Sequence, residues 1–301
     1  MNKEIDLAKL ESLVGGYATK PVNTLIDGVP DVIYHGGPGI SNSGLNVLAR
    51  SPAHYQEALR RQREQAEKKA SRALDLGTVM HLGILQPELM DTMVAKRKKV
   101  DGRTKEGKEY NAEWEAEHAG KIGITKDEHD NMMFCVDAVR SHPVAGPLLQ
   151  DGWAEQSAYW TWNVDVGEEI PVLARGRLDW LRKDGTIVDV KTTIDADPSE
   201  WSKSAAKFGY HRQNAWYKGG LSQILGAPVP GFFFVCIENK ERPFGIRVLQ
   251  LDEQALMTGQ QELMSYLSAY ARCVKNNEWP NYPSEPKRIS LPHWYKAKIT
   301  F

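Results

Sequence analysis

The chain has 301 residues, 41% hydrophobic and 26% charged, a balance ordinary for a globular protein of one large or two small domains. Three widely spaced cysteines, Cys135, Cys236 and Cys273, exclude a disulfide framework, an all-cysteine zinc site and a four-cysteine iron–sulfur cluster drawn from this chain alone, and fit a reducing compartment. A net charge of −1 neither requires nor forbids a nucleic-acid partner, which needs a local basic surface rather than a basic average.

No apolar run approaches the roughly 18–20 residues that span a bilayer. The charged start Met1–Lys9 has no apolar stretch of the secretory kind. Met1–Leu13 has the pattern of a short helix. The rest of residues 1–40, with turn signals at Gly15-Gly16 and His35–Gly39, reads as irregular.

Helices begin at Ser41. Ser41 or Ser43 can cap a helix with Leu45 and Leu48 on one face. Pro52 opens the next, through Tyr55 and Leu59, and Arg60, Arg61, Arg63, Lys68, Lys69 and Arg72 make its far end basic. A third helix places Leu74, Gly77, His81 and Leu85 along one face. Met90–Ala95 reads as a short strand, the basic run Lys96–Lys99 starts a loop, and Glu109–Ala119 is a polar helix. Thr125-Lys126-Asp127-Glu128 has the form of a capping box. It opens a helix through Met132, Val136 and Val139 that His142-Pro143 ends.

The texture then changes. Ala154–Val166 alternates, with Tyr159, Thr161 and Asn163 opposite Trp160, Trp162 and Val164, which is strand spacing. Trp160 and Trp162 share a face, a packing signature before a stacking one. Ile170–Leu181 and Thr186–Lys191 are two more strands, joined by the turn Lys183-Asp184-Gly185. Asp197-Pro198-Ser199-Glu200 starts a helix, and Tyr210–Leu225 is another. Strands Gly231–Glu238 and Gly245–Leu251, the long helix Asp252–Asn276 and the Pro-rich Trp279–Phe301 close the chain. The order predicts a mixed α/β core with an N-terminal helical part, divided into an arm 1–33, a core 34–276 and a tail 277–301.

The informative segment is Gly176-Arg177-Leu178-Asp179-Trp180 with Ile187-Val188-Asp189-Val190-Lys191. Strands joined by a short turn pair, so Asp179 and Asp189 can converge at a sheet end. Asp189 and Lys191 are i and i+2 on one strand and project from one face. Two carboxylates hold a hard divalent cation through oxygen. A neighbouring lysine orients or deprotonates a water and offsets phosphate charge. A surface hairpin with a salt bridge has the same spacing. The apolar Leu178, Leu181, Val188 and Val190 instead point to largely buried strands, where an unpaired charge is costly and a metal is a reason for it. Gln213 and Tyr217 are i and i+4 on one helical face. Arg175 and Arg177 precede Asp179 on its strand and are phosphate candidates. Ser41 and Ser43 are helix caps that can also meet a 5′-phosphate.

These motifs, in this order, resemble the RecB-type nucleases of the PD-(D/E)XK superfamily: the Asp179 and Asp189-Val190-Lys191 hairpin, the Gln213/Tyr217 helix, and Gly77-Thr78-Val79-Met80-His81 upstream. With Ile40-Ser41-Asn42-Ser43, Leu45, Leu48 and Ser51-Pro52, the stretch from Tyr34 to Leu251 resembles the RecE-like (exodeoxyribonuclease VIII-type) exonucleases of phages and prophages. Leu178 stands where the superfamily's name has Pro, and His81 where some relatives carry Glu.

The resemblance implies an α/β fold with a central mixed sheet flanked by helices. It implies metal-dependent hydrolysis of DNA. Asp179, Asp189 and His81, with the Val190 carbonyl, would bind Mg²⁺, and Mn²⁺ would substitute through the histidine. Lys191 would position or activate water, and Gln213 and Tyr217 would contact the DNA backbone. It further implies 5′→3′ resection of duplex DNA ends for a single-strand annealing protein, a homo-oligomeric ring of three or four copies, and a bacterial cytoplasm with no membrane partner. A single-strand or structure-specific endonuclease of the same superfamily and a non-catalytic DNA-binding recombination partner are the alternatives.

Overall fold

The computed structural model describes residues 22–64, 72–240, 242–292 and 295. The expected helix Met1–Leu13, the basic Lys68 and Lys69, and the end of the tail lie outside them.

In chain order the elements are β1 (Asn23–Ile26), α1 (Asp31–Gly36), β2 (Ile40–Ser41), α2 (Asn42–Leu48), α3 (Pro52–Glu64) and α4 (Arg72–Leu85). A 3₁₀ turn leads to α5 (Met90–Met93), β3 (Val94–Lys96), α6 (Lys105–Glu117), β4 (Ile122–Ile124), α7 (Lys126–Ser141) and α8 (Ala145–Leu148). Then come β5 (Gly152–Asp165), β6 (Glu169–Arg182), β7 (Ile187–Thr193), α9 (Pro198–Phe208), α10 (Tyr210–Leu225), β8 (Phe232–Glu238), β9 (Ile246–Leu249) and α11 (Glu253–Asn276).

The main sheet runs β1-β5-β6-β7-β8-β9, with β2 pairing β6 as its seventh strand. β7 and β8 are parallel, joined by the crossover through α9 and α10, and β2 is parallel to β6. The other pairs are antiparallel, so the sheet is mixed. A parallel pair needs such a crossover, because no tight turn can reverse the chain twice.

Helices cover both faces. On one, α4 and α7 put Val79, Ile84, Val136 and Val139 against Val188, Val190, Val235 and Ile237. On the other, α10 and α11 put Trp216, Leu263 and Leu267 against Ala158, Trp160 and Ala174, and Leu221 of α10 with Trp201 of α9 packs on Leu178, Ile187 and Phe234. The rings of Trp160 and Trp216 meet at 5.0 Å and 59°. Full burial of a large apolar side chain contributes about 2 kcal/mol, so these layers fix the strands that carry the polar motif.

The start signals act as read. Ser41 accepts from Gly44 N–H at the start of α2, Thr125 and Glu128 form the reciprocal capping box, and Asp197 caps α9 with Pro198 first in the helix.

Three local expectations are corrected. The segment before residue 40 is not irregular: Asn23–Ile26 is an edge strand in register with Ser157–Trp160, and Asp31–Gly36 is helical. Met90–Ala95 is not one strand. Met90–Met93 coils, and only Val94–Lys96 extends, to pair with Ile122–Ile124 in a separate two-stranded sheet. The helix expected at Glu109 starts at Lys105, where Thr104 accepts from Gly107 N–H. The first part of the tail folds back: Trp279 stacks on Tyr55 at 5.9 Å, and Ala53 N–H donates to Pro280 O at 3.1 Å. No helix among the described residues is long and apolar enough to cross a membrane.

Candidate active site

The site forms where the ladder between β6 and β7 stops. That ladder pairs only Leu181 with Ile187 and Trp180 with Val188. Further along β6, the same edge is taken up by β2 at Ala174 and Arg175. Between these two pairings, the stretch from Gly176 to Asp179 is left without a strand partner on this edge. There the Asp179 carboxylate replaces the missing strand and accepts the Val190 N–H at 2.8 Å. A residue in a strand directs its N–H and C=O to the same edge. The Val190 carbonyl therefore faces the same opening.

Strand β6 also rotates at Asp179. Leu178 packs with Leu221 and Phe234, yet Trp180 packs in the cluster of Val79 and Val136 on the opposite face. Residues two apart in a regular strand share a face, so the alternation is broken at the carboxylate. The partner strand is irregular at the same level. Ala154 pairs with Trp180 and Gln156 with Leu178, which sets Glu155 opposite Asp179. Glu155 has φ 49°, a left-handed backbone uncommon outside glycine that costs about 1–3 kcal/mol.

Helix α4 supplies the third group. Its buried Val79 and Met80 pack with Val188 and Val190 of the sheet, and His81 Nδ1 lies 3.8 Å from Asp179 Oδ2. One ligand atom each from His81, Glu155 and Asp179 lies within 4.8 Å of the others, the one such donor cluster among the described residues. Burial, then the Asp179 carboxylate, push Glu155 up to about 8. The Arg177 guanidinium opposes that rise without cancelling it.

Asp189, 1% exposed, stands beside this cluster but outside it. Gln213 Nε2 donates to its Oδ1 at 2.7 Å. Lys191 Nζ closes on its Oδ2 as an ion pair. Burial raises Asp189 to about 7, with Lys191 opposing and Asp179 reinforcing the rise. For Lys191, burial would lower the value, but Asp189 and Asp179 outweigh it and hold the ammonium charged. Its Nζ also sits 5.1 Å from the centre of the Tyr210 ring.

Tyr217, one turn beyond Gln213, packs where Gly176 leaves room: a Cβ there would lie 2.5 Å from its ring. Its hydroxyl bonds the Gln213 amide, and burial raises its pKa well above the usual phenol range.

The structure thus brings together His81, Asp179, Asp189, Val190, Lys191, Gln213 and Tyr217. Glu155 joins them, a residue the strand reading passed over.

Six expected residues stand differently. Arg175 is 5% exposed, donating to the carbonyls of Gly37 and of His35 (3.0 Å), with its guanidinium over Tyr34. Arg177 pairs with Asp31 and donates to Val29 O at 2.7 Å and Ser157 Oγ at 3.2 Å. Both guanidiniums fasten the segment from Val29 to Pro38 to the sheet and are not free for phosphate. Ser41 is spent on the α2 cap, and its hydroxyl lies 2.9 Å from that of Ser43. Gln213 and Tyr217 are turned inward, toward Asp189 rather than toward a DNA backbone.

A mixed sheet flanked by helices, with a D…D-x-K hairpin at its break and a Q-x-x-x-Y helix behind it, defines a PD-(D/E)XK-type domain. Residues 41–288 match the family described as a PDDEXK-like domain of unknown function (DUF3799), and the chain belongs to that family. A crystal structure from Eubacterium rectale, described as a candidate exonuclease, has the same fold with a TM-score of 0.52 at 16% identity, over 84% of this chain and 91% of that one. A comparison with curated proteins found no match.

Proposed function

We propose that the protein is a divalent-metal-dependent deoxyribonuclease that digests duplex DNA from its ends. The observation that carries this is the cluster of His81, Glu155 and Asp179, within 4.8 Å, beside the Asp189–Lys191 ion pair. The donor set fits Mg²⁺ or Mn²⁺: two carboxylates and one imidazole, with the Val190 carbonyl at the same opening. The high value of Glu155 fits too, because the cation that opposes the rise, Arg177, is already paired with Asp31. When bound, the cation supplies Lewis-acid polarisation of the phosphoryl oxygen and acidifies a water.

The chain's own groups then have distinct tasks. His81, Glu155 and Asp179 hold the cation, and the Val190 N–H fixes the rotation of the Asp179 carboxylate. Lys191, beside Asp189, is placed to orient or activate the attacking water and to offset charge growing on the phosphate. Gln213 fixes the Asp189 carboxylate and Tyr217 braces Gln213, so both act through Asp189.

Exonuclease action, 5′→3′ polarity, 3′ single-stranded products for an annealing protein and a ring of three or four copies follow from the resemblance to RecE-like enzymes. The description of the Eubacterium rectale protein agrees with the exonuclease part. A ring would also concentrate basic side chains in a channel although the net charge is −1.

The test is digestion of a linear duplex labelled separately at its 5′ and 3′ ends, with Mg²⁺ or EDTA, beside a covalently closed circle. Mg²⁺-dependent loss of 5′ label with the circle intact, and no cleavage by Lys191→Ala, is the expected result. Cutting of the circle would replace this reading with an endonuclease. Binding without cleavage in any lane would replace it with a non-catalytic DNA-binding partner.

A further inference from the structure

We propose that Phe208, with Lys207 beside it, is a stacking platform for an unpaired base of the DNA strand entering the site, so that the substrate end is locally opened before it is cut. The proposal rests on the nuclease reading and adds the form of the substrate.

Phe208 is the last residue of α9 and is 50% exposed. A single exposed aromatic is ordinary. This one is tied to the site and held rigid. Its ring centre is 5.8 Å from that of Tyr210, whose ring lies 5.1 Å from Lys191 Nζ. Phe208 therefore sits within about 11 Å of the ammonium, the reach of a few nucleotides.

The turn that presents it is fixed. Gly209 has φ 71°, and a Cβ there would lie 2.4 Å from the Arg212 guanidinium. That guanidinium pairs with Glu262 at 2.6 Å and with Asn46, and Asn46 Nδ2 donates to the Phe208 carbonyl at 3.5 Å. Tyr210 is in turn stacked on Trp201 at 5.7 Å, behind which lies Phe234.

The aromatic stack behind Phe208 is backed by core, while half of Phe208 itself is open to solvent. Lys207 Nζ lies over the Phe208 ring, 5.3 Å from its centre, and makes no ion pair among the described residues. An aromatic ring capped by an ammonium without an ion-pair partner suits a nucleotide: the base takes the place of the ammonium on the ring and the phosphate meets the displaced charge. Paired bases inside a duplex present no free face, so the partner is an unpaired one.

Fluorescence anisotropy of a short labelled single strand, with Ca²⁺ replacing Mg²⁺ to hold back cleavage, tests this on the full chain. Phe208→Ala weakens binding by about 10-fold, within the usual range for one base–aromatic stack, and Phe208→Trp restores it. An abasic nucleotide walked along the strand weakens wild-type binding at one position by a similar factor, and at that position leaves Phe208→Ala unaffected. Lys207→Ala lowers the salt dependence of binding.

Equal affinity of Phe208→Ala and wild type overturns the proposal, as it would if the ring met another protein. So does an abasic penalty that is the same in both at every position. The two readings fail separately: coupling without Mg²⁺-dependent cleavage keeps the platform and removes the nuclease, and cleavage without coupling does the reverse.

Discussion

Glu155 stands opposite Asp179 across the β5–β6 ladder, and the two carboxylates converge with His81 on one point. Neither strand is regular there, since Glu155 is left-handed and β6 changes face at Asp179. Two half-buried acids facing each other repel, and the arrangement makes chemical sense around a cation. Glu155→Gln should therefore remove the rise in melting temperature that Mg²⁺ or Mn²⁺ gives the wild type, and lower cleavage at least about 100-fold. Without metal the same variant should melt higher than wild type near pH 8, because it no longer buries a charge. Unchanged cation-dependent stabilisation, read by differential scanning fluorimetry, would remove Glu155 from the site.

The stability of the metal-free protein should fall as pH rises. Glu155 is held up to about 8 and Asp189 up to about 7, both above the ordinary carboxylate value. Between that ordinary value and these raised ones, the folded chain keeps protons that the unfolded chain has released. Raising pH through this window therefore favours unfolding. A divalent cation held by His81, Glu155 and Asp179 satisfies Glu155 in its charged form, so the slope should flatten or reverse with Mg²⁺. Urea midpoints at pH 5 and about pH 8, with EDTA and with Mg²⁺, check both signs.

Much of this was legible in the sequence. The helix Tyr210–Leu225 has the bounds expected, and the Asp197 and Thr125 caps act as read, because cap chemistry is local. Asp189 and Lys191 share a face because strand period two is obligatory. Glu155 was within reach as well. The hairpin turns at Gly167, with Asp165 opposite Glu169, and counting back along that register puts Glu155 opposite Asp179. What no local pattern shows is the long-range fastening. Arg175 and Arg177 look like phosphate ligands until the segment from Val29 to Pro38 is folded over them. Strand β1 likewise exists only through its pairing with β5, since four residues carry too little period to read.

The two arginines should therefore behave as structural groups. Arg175→Ala removes a buried charge from the carbonyls of Gly37 and His35, leaving them unpaired, and should cost about 2–3 kcal/mol of stability. DNA binding by the folded variant should keep the wild-type salt dependence, because no phosphate contact is lost. A shallower dependence of log Kd on log salt, at temperatures well below melting, would instead assign Arg175 to the DNA.

Gln213 separates two roles by kinetics. An amide that touches the DNA backbone helps hold substrate in both ground and transition states, so its loss raises KM. An amide that only orients a carboxylate leaves substrate binding alone and lowers kcat. Gln213 Nε2 is spent on Asp189 Oδ1 at 2.7 Å, and Tyr217 lies behind it. Gln213→Ala should lower kcat by roughly 10–100-fold, the usual cost of losing a group that orients a site carboxylate, with KM for duplex DNA nearly unchanged. Tyr217→Phe should show the same pattern at smaller size, because it keeps the ring against Gly176 and loses only the hydroxyl that braces Gln213. Steady-state digestion over a range of duplex concentrations reads the split directly. A KM effect that dominates in Gln213→Ala would put the amide on the substrate and turn the site around.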